Sequence, residues 1–303
     1  MSYILQTNHL TKIIDGKELV TDVNIHVKKG EIYGFLGPNG AGKTTVMKMI
    51  TNLWKPTKGT VELFGKTLET TSYEVLKRMG SIIEFPTFYE HMSGKDNLQL
   101  HCEYMGYYNK GSIDEVLEML NLREAANKPV KSYSLGMKQR LGLGIAMVGN
   151  PDILILDEPI NGLDPEGIIE IRELILKLNK EKGITFIISS HYLDELSKIA
   201  TYYGFIDSCR IIKEISKEDL DQNFRKRIQI NITNLKESVK YLEEKNIPYK
   251  VISDNIIDIY EKINISNLVI ELSKRNCTIN SFQEKGESLE NYYLNLIGGA
   301  DNE

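Results

Sequence analysis

Hydrophobic and polar positions alternate over residues 3–29, and the alternation is interrupted at Asp15-Gly16. Such alternation is typical of strands with one buried face, so this segment predicts antiparallel strands joined by a turn. Farther along, uninterrupted apolar runs are typical of parallel strands covered on both faces. Those runs occupy residues 32–36, 153–156 and 184–188. Helical segments follow these runs, and the pattern therefore predicts an α/β domain with a mixed sheet.

The segment between the first two runs predicts a strand over residues 60–65, then a helix that ends at Met79 and a short strand over residues 81–83. Residues 93–126 have helical spacing, with Ser93 as the expected N-cap. We therefore expect a helical subdomain over about residues 88–150.

The composition changes beyond residue 216, where lysine and glutamate increase and no glycine occurs until Gly286. The periodicity there predicts strands over residues 227–232, 248–252, 255–260 and 277–284, and helices over residues 235–245, 265–274 and 288–297. This order resembles a small ferredoxin-like α/β unit, and it contains no evident catalytic constellation. We therefore expect two domains, residues 1–215 and 216–303.

The 303 residues are 41% hydrophobic and 26% charged, which is ordinary for a soluble globular protein. The formal net charge is -5 and no block of Lys and Arg stands out, so we expect no nucleic-acid partner. The three cysteines, Cys102, Cys209 and Cys277, lack the C-x-x-C spacing of a zinc or redox site and predict reduced packing residues.

No secretory signal is expected at the N-terminus, because MSYILQTNHLTK lacks a basic segment followed by an apolar core. The longest apolar stretches are residues 141–148 and 153–156, far shorter than the ~18 residues of a membrane span. The chain is therefore not expected to cross a membrane by itself.

The spacing G-x-x-x-x-G-K-T occurs at residues 37–44, between a predicted strand and a predicted helix. In this context it predicts a phosphate-binding loop whose backbone N–H groups and helix N-terminus surround an anion. Lys43 is expected to reach the β- and γ-phosphates, and the Thr44 hydroxyl to hold Mg²⁺. The expected nucleotide-binding residues of the loop are Gly37, Pro38, Asn39, Gly40, Ala41, Gly42, Lys43, Thr44 and Thr45.

Two carboxylates follow the buried run at residues 153–156, where open α/β sheets place their ligand sites. Asp157 is the expected partner of Thr44 at Mg²⁺, which takes oxygen ligands. Glu158 is placed to accept a proton from the water that attacks the γ-phosphate. His191 ends another buried strand; it is either a donor to the γ-phosphate or a surface or capping residue.

The chain resembles the ATP-binding subunits of ABC transporters in five segments that occur in the family's order: GPNGAGKTT, YSLGMKQR, ILILDEP, NGLDP and SSH. The resemblance covers residues 4–215, and P-loop kinases and GTPases lack the YSLGMKQR element. It implies an ATPase that uses ATP and Mg²⁺, with Lys43, Glu158 and His191 as catalytic residues. It also implies a head-to-tail pair with a second ATP-binding subunit, identical or different. A separate membrane permease would hold the pair peripherally at the cytoplasmic face of the cell membrane.

The same resemblance assigns residues to the paired site. Ser134 and Gly136 occupy the serine-glycine motif that completes the partner's γ-phosphate site, although Leu135 and Met137 replace the usual glycine and glutamine. Asp164 matches the loop aspartate that communicates across the dimer.

Glu84 is a departure from the usual family glutamine, and it resembles the subgroup associated with bacitracin-type and lantibiotic-type peptide resistance. A carboxylate binds Mg²⁺ more strongly than an amide but is repelled by phosphate when the metal is absent. The resemblance therefore implies Glu84 as a metal ligand, permease contacts near residues 84–110, and an antimicrobial peptide as cargo.

Ile14 is a second departure, because the family commonly has an aromatic residue there that stacks on adenine. An aliphatic side chain packs against the base without a π-face, and Tyr3 is an alternative. A competing hypothesis is a soluble ABC-type ATPase acting on ribosomes or DNA, but such proteins usually have two cassettes or long coiled-coil insertions. A regulatory protein without turnover is disfavoured by four intact residues, Lys43, Asp157, Glu158 and His191.

Overall fold

The structure is a computed structural model that describes residues 3–106, 111–223, 227–260, 263, 265–285 and 289–298. The chain folds into two compact units, Met1–Lys217 and Glu218–Glu303. Among the described residues, no helix is both long and apolar enough to cross a bilayer.

Unit 1 contains two sheets and the helices around them. Its strands are β1 (Tyr3–Ile14), β2 (Lys17–Val23), β3 (His26–Lys28), β4 (Ile32–Leu36), β5 (Lys58–Leu63), β6 (Lys66–Thr67), β7 (Met79–Ile82), β8 (Ile153–Asp157), β9 (Thr185–Ser190), β10 (Tyr202–Asp207) and β11 (Arg210–Ser216). Its helices are α1 (Lys43–Ile50), α2 (Tyr73–Leu76), α3 (Gly94–Met105), α4 (Gly111–Met119), α5 (Leu135–Met147), α6 (Pro165–Lys182) and α7 (Leu193–Ser197).

The first sheet is antiparallel, in the order β2-β1-β5-β6, and β3 also pairs with β1. Asp15 (φ 50°) and Gly16 (φ 78°) both adopt the left-handed conformation between β1 and β2. A two-residue hairpin turn requires this conformation to match the strand twist, so the predicted turn is confirmed.

The second sheet has the order β11-β10-β4-β9-β8-β7, and only β11 is antiparallel to its neighbour among these described strands. Strands β4, β8 and β9 are buried along their whole length, as the uninterrupted apolar runs predict. Side chains of both sheets and of α1 share one core, including Leu5, Phe35, Met47, Val61 and Ile155.

The helix expected to end at Met79 was predicted wrongly, because α2 ends at Leu76 and Met79 begins β7. Met79 pairs with Ile153 of the neighbouring parallel strand, and the Arg78 carbonyl accepts the Asp152 N–H at 2.8 Å. These long-range backbone bonds outweigh the local helical spacing.

The helical subdomain begins with the predicted cap. The Ser93 hydroxyl accepts the Asp96 N–H at 3.1 Å, and the Asp96 carboxylate accepts the Ser93 N–H at 3.3 Å. Helices α3, α4 and α5 fall within the predicted stretch, of which residues 107–110 lie outside the described part of the chain.

Unit 2 has the predicted β-α-β-β-α-β order. Its elements are β12 (Arg227–Ile232), α9 (Leu235–Glu244), β13 (Tyr249–Ser253), β14 (Ile256–Ile259), α10 (Ile265–Ser273), β15 (Ile279–Lys285) and α11 (Leu289–Gly298), and α8 (Lys217–Asn223) begins at the division between the units. The sheet is antiparallel in the order β13-β14-β12-β15, which is the ferredoxin-like arrangement. Its core includes Ile230, Leu242, Ile257 and Leu268.

Candidate nucleotide site

Four neighbouring strands of the second sheet end at one edge. Strands β4, β9, β8 and β7 are parallel, so the segments that follow them meet at their carboxyl ends. These segments are the glycine-rich loop at residues 37–42, His191, the Asp157-Glu158 pair and Glu84. The candidate residues predicted from separate parts of the sequence therefore share one edge.

The glycine-rich loop packs tightly against the rest of the unit. A Cβ at Gly37 would lie 2.3 Å from the Ile206 carbonyl oxygen, and Gly42, the N-cap of α1, has φ 104°. Both positions therefore require glycine. The first turn of α1 contains no acidic residue, which leaves its positive end available to an anion.

Lys43 is buried under this loop, with only 6% of the residue exposed. Its Nζ donates to the carbonyl oxygens of Gly37 at 2.7 Å and Pro38 at 3.2 Å. The ammonium thus lies at the concave side of the loop, where it would meet phosphate oxygens.

A cavity of about 280 Å³ opens beside the loop. Its lining consists of Lys17, Glu18, Leu19, Asn39, Gly40, Gly42, Lys43, Thr44, Thr45, Glu158 and Cys209. Ile14 is 38% exposed and pairs across the hairpin with Lys17, so an apolar side chain lies next to a cavity residue. The alternative aromatic residue, Tyr3, packs its ring 5.0 Å from that of His26.

Asp157 is held by two hydroxyl groups. Its Oδ2 accepts from Thr44 Oγ1 at 2.7 Å and its Oδ1 accepts from Ser189 Oγ at 2.5 Å, and the residue is 3% exposed. A hydroxyl and a carboxylate are the hard oxygen donors that Mg²⁺ prefers, and this ion is usually completed by substrate phosphates and water. The pair Thr44 and Asp157 therefore fits one magnesium ion shared with a nucleotide.

Glu158 joins the predicted catalytic residues. Its Oε1 lies 3.4 Å from Lys43 Nζ, and its Oε2 lies 2.8 Å from His191 Nδ1. Its backbone is left-handed (φ 49°), a costly conformation for a non-glycine residue that is typical of functional sites. Lys43, Glu158 and His191 thus form one connected group.

Ser189 was not predicted. Besides bonding Asp157, its Oγ accepts the Glu158 N–H at 2.9 Å, so one hydroxyl orients both carboxylate residues. Ser189 pairs with Asp157 in the register of β8 and β9. The sequence feature that could have identified Ser189 as a site residue is its position two residues before His191, at the end of a predicted strand.

Glu84 follows β7 and contacts α1. Its Oε1 lies 2.6 Å from Lys48 Nζ, its side chain is 59% exposed, and its backbone is left-handed (φ 64°). The structure thus pairs the expected metal ligand with a lysine that sequence reasoning did not select.

Ser134, Gly136 and Asp164 line a different cavity of about 470 Å³, together with Gly162 and Arg140. Ser134 caps α5 by accepting the Met137 N–H at 3.2 Å, and Asp164 caps α6 by accepting the Gly167 N–H at 3.0 Å. Two helix N-termini therefore face this cavity, whose charged lining residues are Arg140, Asp164, Glu166 and Glu170.

A third cavity of about 370 Å³ lies between β7 and the helical subdomain. Phe85, Tyr89 and Tyr104 line it and are 72%, 57% and 73% exposed. His101 also lines it, and burial lowers the pKa of its imidazole. The two sequence neighbours of Glu84, Ile83 and Phe85, both line this aromatic groove.

A family model described as "ABC transporter" matches residues 20–161. The solved ADP conformation of MJ1267, an ATP-binding cassette of an ABC transporter, superposes with a TM-score of 0.65 at 27% identity. That match covers 74% of this chain and 95% of the solved chain.

Three relatives extend the comparison. The uncharacterized ABC transporter ATP-binding protein YcbN of Bacillus subtilis (strain 168) is 49% identical over 302 residues, 99% of this chain and 98% of YcbN. The bacitracin transport ATP-binding protein BcrA of Bacillus licheniformis is 41% identical over 303 residues, 99% of each chain. The lantibiotic transport ATP-binding protein SrtF of Streptococcus pyogenes is 40% identical over 228 residues, 74% of this chain and 97% of SrtF.

Proposed function

The chain belongs to the ATP-binding proteins of ABC transporters and is a nucleotide-binding ATPase, and we propose that it powers a separate permease that exports, or confers immunity to, an antimicrobial peptide. The observation that carries the chemistry is the contact of Glu158 with both Lys43 and His191 beside the glycine-rich loop. Bacitracin is the favoured type of cargo, because BcrA matches both units whereas SrtF matches 74% of the chain.

In the proposed mechanism the loop N–H groups and Lys43 bind the phosphates, and Ile14 packs against adenine. Glu158 accepts a proton from the attacking water, and His191 holds the Glu158 carboxylate through Nδ1 while its other ring nitrogen faces the γ-phosphate. Mg²⁺, bound by Thr44 and Asp157, would neutralise developing phosphate charge. Ser189 keeps Asp157 and Glu158 in place.

A second ATP-binding subunit completes the proposed site, in a homodimer or a heterodimer. Ser134 and Gly136 of that subunit would close over the γ-phosphate, using the N-terminus of α5. Asp164, which lines the same cavity, would then lie at the dimer interface.

The permease would dock in the aromatic groove after Glu84. The groove exposes three aromatic side chains and adjoins a residue at the nucleotide edge, so docking there would be transmitted to the site. This association places the chain peripherally on the cytoplasmic face of the cell membrane.

The proposed function predicts the behaviour of Glu158→Gln. The amide cannot accept the proton, so steady-state hydrolysis should fall by about 10²–10⁴-fold while ATP binding is retained and an ATP-bound dimer accumulates. Phosphate release, nucleotide binding and mass by light scattering measure these effects on the purified protein. Unchanged hydrolysis would remove Glu158 as the base.

The same variant tests the cargo in cells that also carry the permease. The wild-type chain should raise tolerance to bacitracin, and Glu158→Gln should not. Tolerance to a lantibiotic but not to bacitracin would reassign the peptide, and tolerance to neither would exclude the peptide-resistance role.

A further inference from the structure

Glu84 and Lys48 form an ion pair on the face of α1 that carries Thr44. Lys48 follows Thr44 by four residues, which is one helical turn, so the two side chains are neighbours on one face. The Lys48 ammonium therefore holds the Glu84 carboxylate about one turn from the hydroxyl that fits the metal.

The backbone also directs Glu84 to this edge. Ile82 pairs with Leu156 in parallel register, so Glu84 and Glu158 follow adjacent strands at equivalent positions. Both residues are left-handed, with φ 64° and 49°. Strained backbone at two neighbouring strand ends is typical of a site that positions its side chains.

Lys48 offsets the repulsion between the Glu84 carboxylate and a bound phosphate. With phosphate present and metal absent, a carboxylate at this edge is repelled, and an ammonium at 2.6 Å offsets that repulsion. The Glu84 side chain is 59% exposed, and an exposed ion pair is weak enough to exchange for another cation.

We propose that Lys48 is a positioning residue that competes with Mg²⁺ for Glu84, holding the carboxylate until the metal–nucleotide complex takes it. This inference rests on the proposed magnesium-dependent ATPase activity and adds an ion pair that regulates the binding of Mg²⁺.

Trp54 offers a direct signal of this exchange. It is the only tryptophan of the sequence, and Lys48 Nζ lies 4.9 Å from its ring centroid. When Glu84 leaves Lys48, the ammonium above the indole loses its counter-ion, which alters the field at the ring. The emission of Trp54 should therefore change when Mg²⁺ is added to nucleotide-loaded protein.

The test compares the wild type, Lys48→Met, Glu84→Gln and the double variant, with a non-hydrolysable ATP analogue and titrated Mg²⁺. Lys48→Met removes the competitor but keeps an aliphatic stem beside Trp54, so the Mg²⁺ concentration that half-saturates binding of the analogue, measured by calorimetry, should fall about two- to fivefold, the range of an exposed ion pair. In the Glu84→Gln background, Lys48→Met should leave this Mg²⁺ concentration unchanged. The Trp54 response should be present in the wild type and lost in Glu84→Gln.

Lys95→Met is the matched control, because it breaks another exposed pair, Lys95 with Asp114 at 2.8 Å. It should alter neither the Mg²⁺ dependence nor the Trp54 signal. An equal Mg²⁺ shift for Lys48→Met in both backgrounds, or a Trp54 response that survives Glu84→Gln, would overturn the competition. Failure of the wild type to bind the analogue would overturn the proposed function itself.

Discussion

At the scale of single residues, one hydroxyl organises the chemistry of two carboxylates. Ser189 donates to Asp157 and accepts from the backbone of Glu158, so it links the residue that fits the metal to the proposed general base. Because Ser189 is fully buried, water cannot replace either bond if the hydroxyl is removed.

Ser189→Ala should therefore lower the free energy of unfolding by about 1–3 kcal/mol. It should also lower hydrolysis by about 10- to 100-fold, as expected for a group that orients metal ligands. Urea unfolding and phosphate release measure the two effects. Ser190→Ala is the control, because the Ser190 hydroxyl accepts only from the Tyr192 N–H among the contacts described; equal losses of hydrolysis in both variants would argue against a specific role.

The motif residues of the site were predictable from the sequence, because their spacing is local. Residues 37–45 need only a strand, a turn and a helix in succession. Ser189 and Lys48 were not predictable in this way, because the role of each depends on a residue of another element. Ser189 meets Asp157 through the β8–β9 register, and Lys48 meets Glu84 across 36 residues of chain.

At the scale of elements, the strand patterns were more informative than the helix ends. The buried runs of β4, β8 and β9 were visible because both faces are covered, whereas the end of α2 was decided by pairing of β7 with β8. The hydrophobic periodicity of the sequence also did not predict the contacts between the two sheets. The best example is Glu214 on β11, which accepts from His26 N of the first sheet at 3.0 Å and lies 2.8 Å from His26 Nδ1. Within its own sheet Glu214 also accepts from Tyr33 OH at 2.8 Å.

Glu214→Leu should destabilise unit 1, because it leaves the fully buried Tyr33 hydroxyl without its acceptor. The expected loss is about 1–3 kcal/mol in the free energy of unfolding, measured by denaturant. Glu214→Gln keeps an acceptor and should lose less. If the two variants are equally stable, the hydrogen bonds of Glu214 do not stabilise unit 1.

At the scale of the whole molecule, the nucleotide residues all belong to unit 1. Unit 2 has its own core and sheet, so it meets the physical conditions for separate folding. SrtF, whose match covers 97% of its own length but 74% of this chain, is consistent with a cassette that works at the shorter length.

A chain that ends at Lys217 should thus fold and bind nucleotide within about twofold of the full protein, since a unit that folds independently adds little to a local equilibrium. Thermal unfolding and nucleotide titration measure this. A chain that ends at Asp207 is the control and should not fold, because it lacks β11 and Glu214. Aggregation of the longer truncation as well would refute the independence of unit 1.

Lys43 Nζ donates to the carbonyl oxygens of Gly37 and Pro38, within the glycine-rich loop itself. These two hydrogen bonds hold the backbone of the loop in its curved conformation. The conformational entropy of the loop residues is therefore lost when the protein folds and not when the nucleotide binds. An arriving phosphate has only to exchange hydrogen-bond acceptors with the loop. Nucleotide capture should consequently proceed at the rate of simple collision, without a slow isomerisation step in its kinetics.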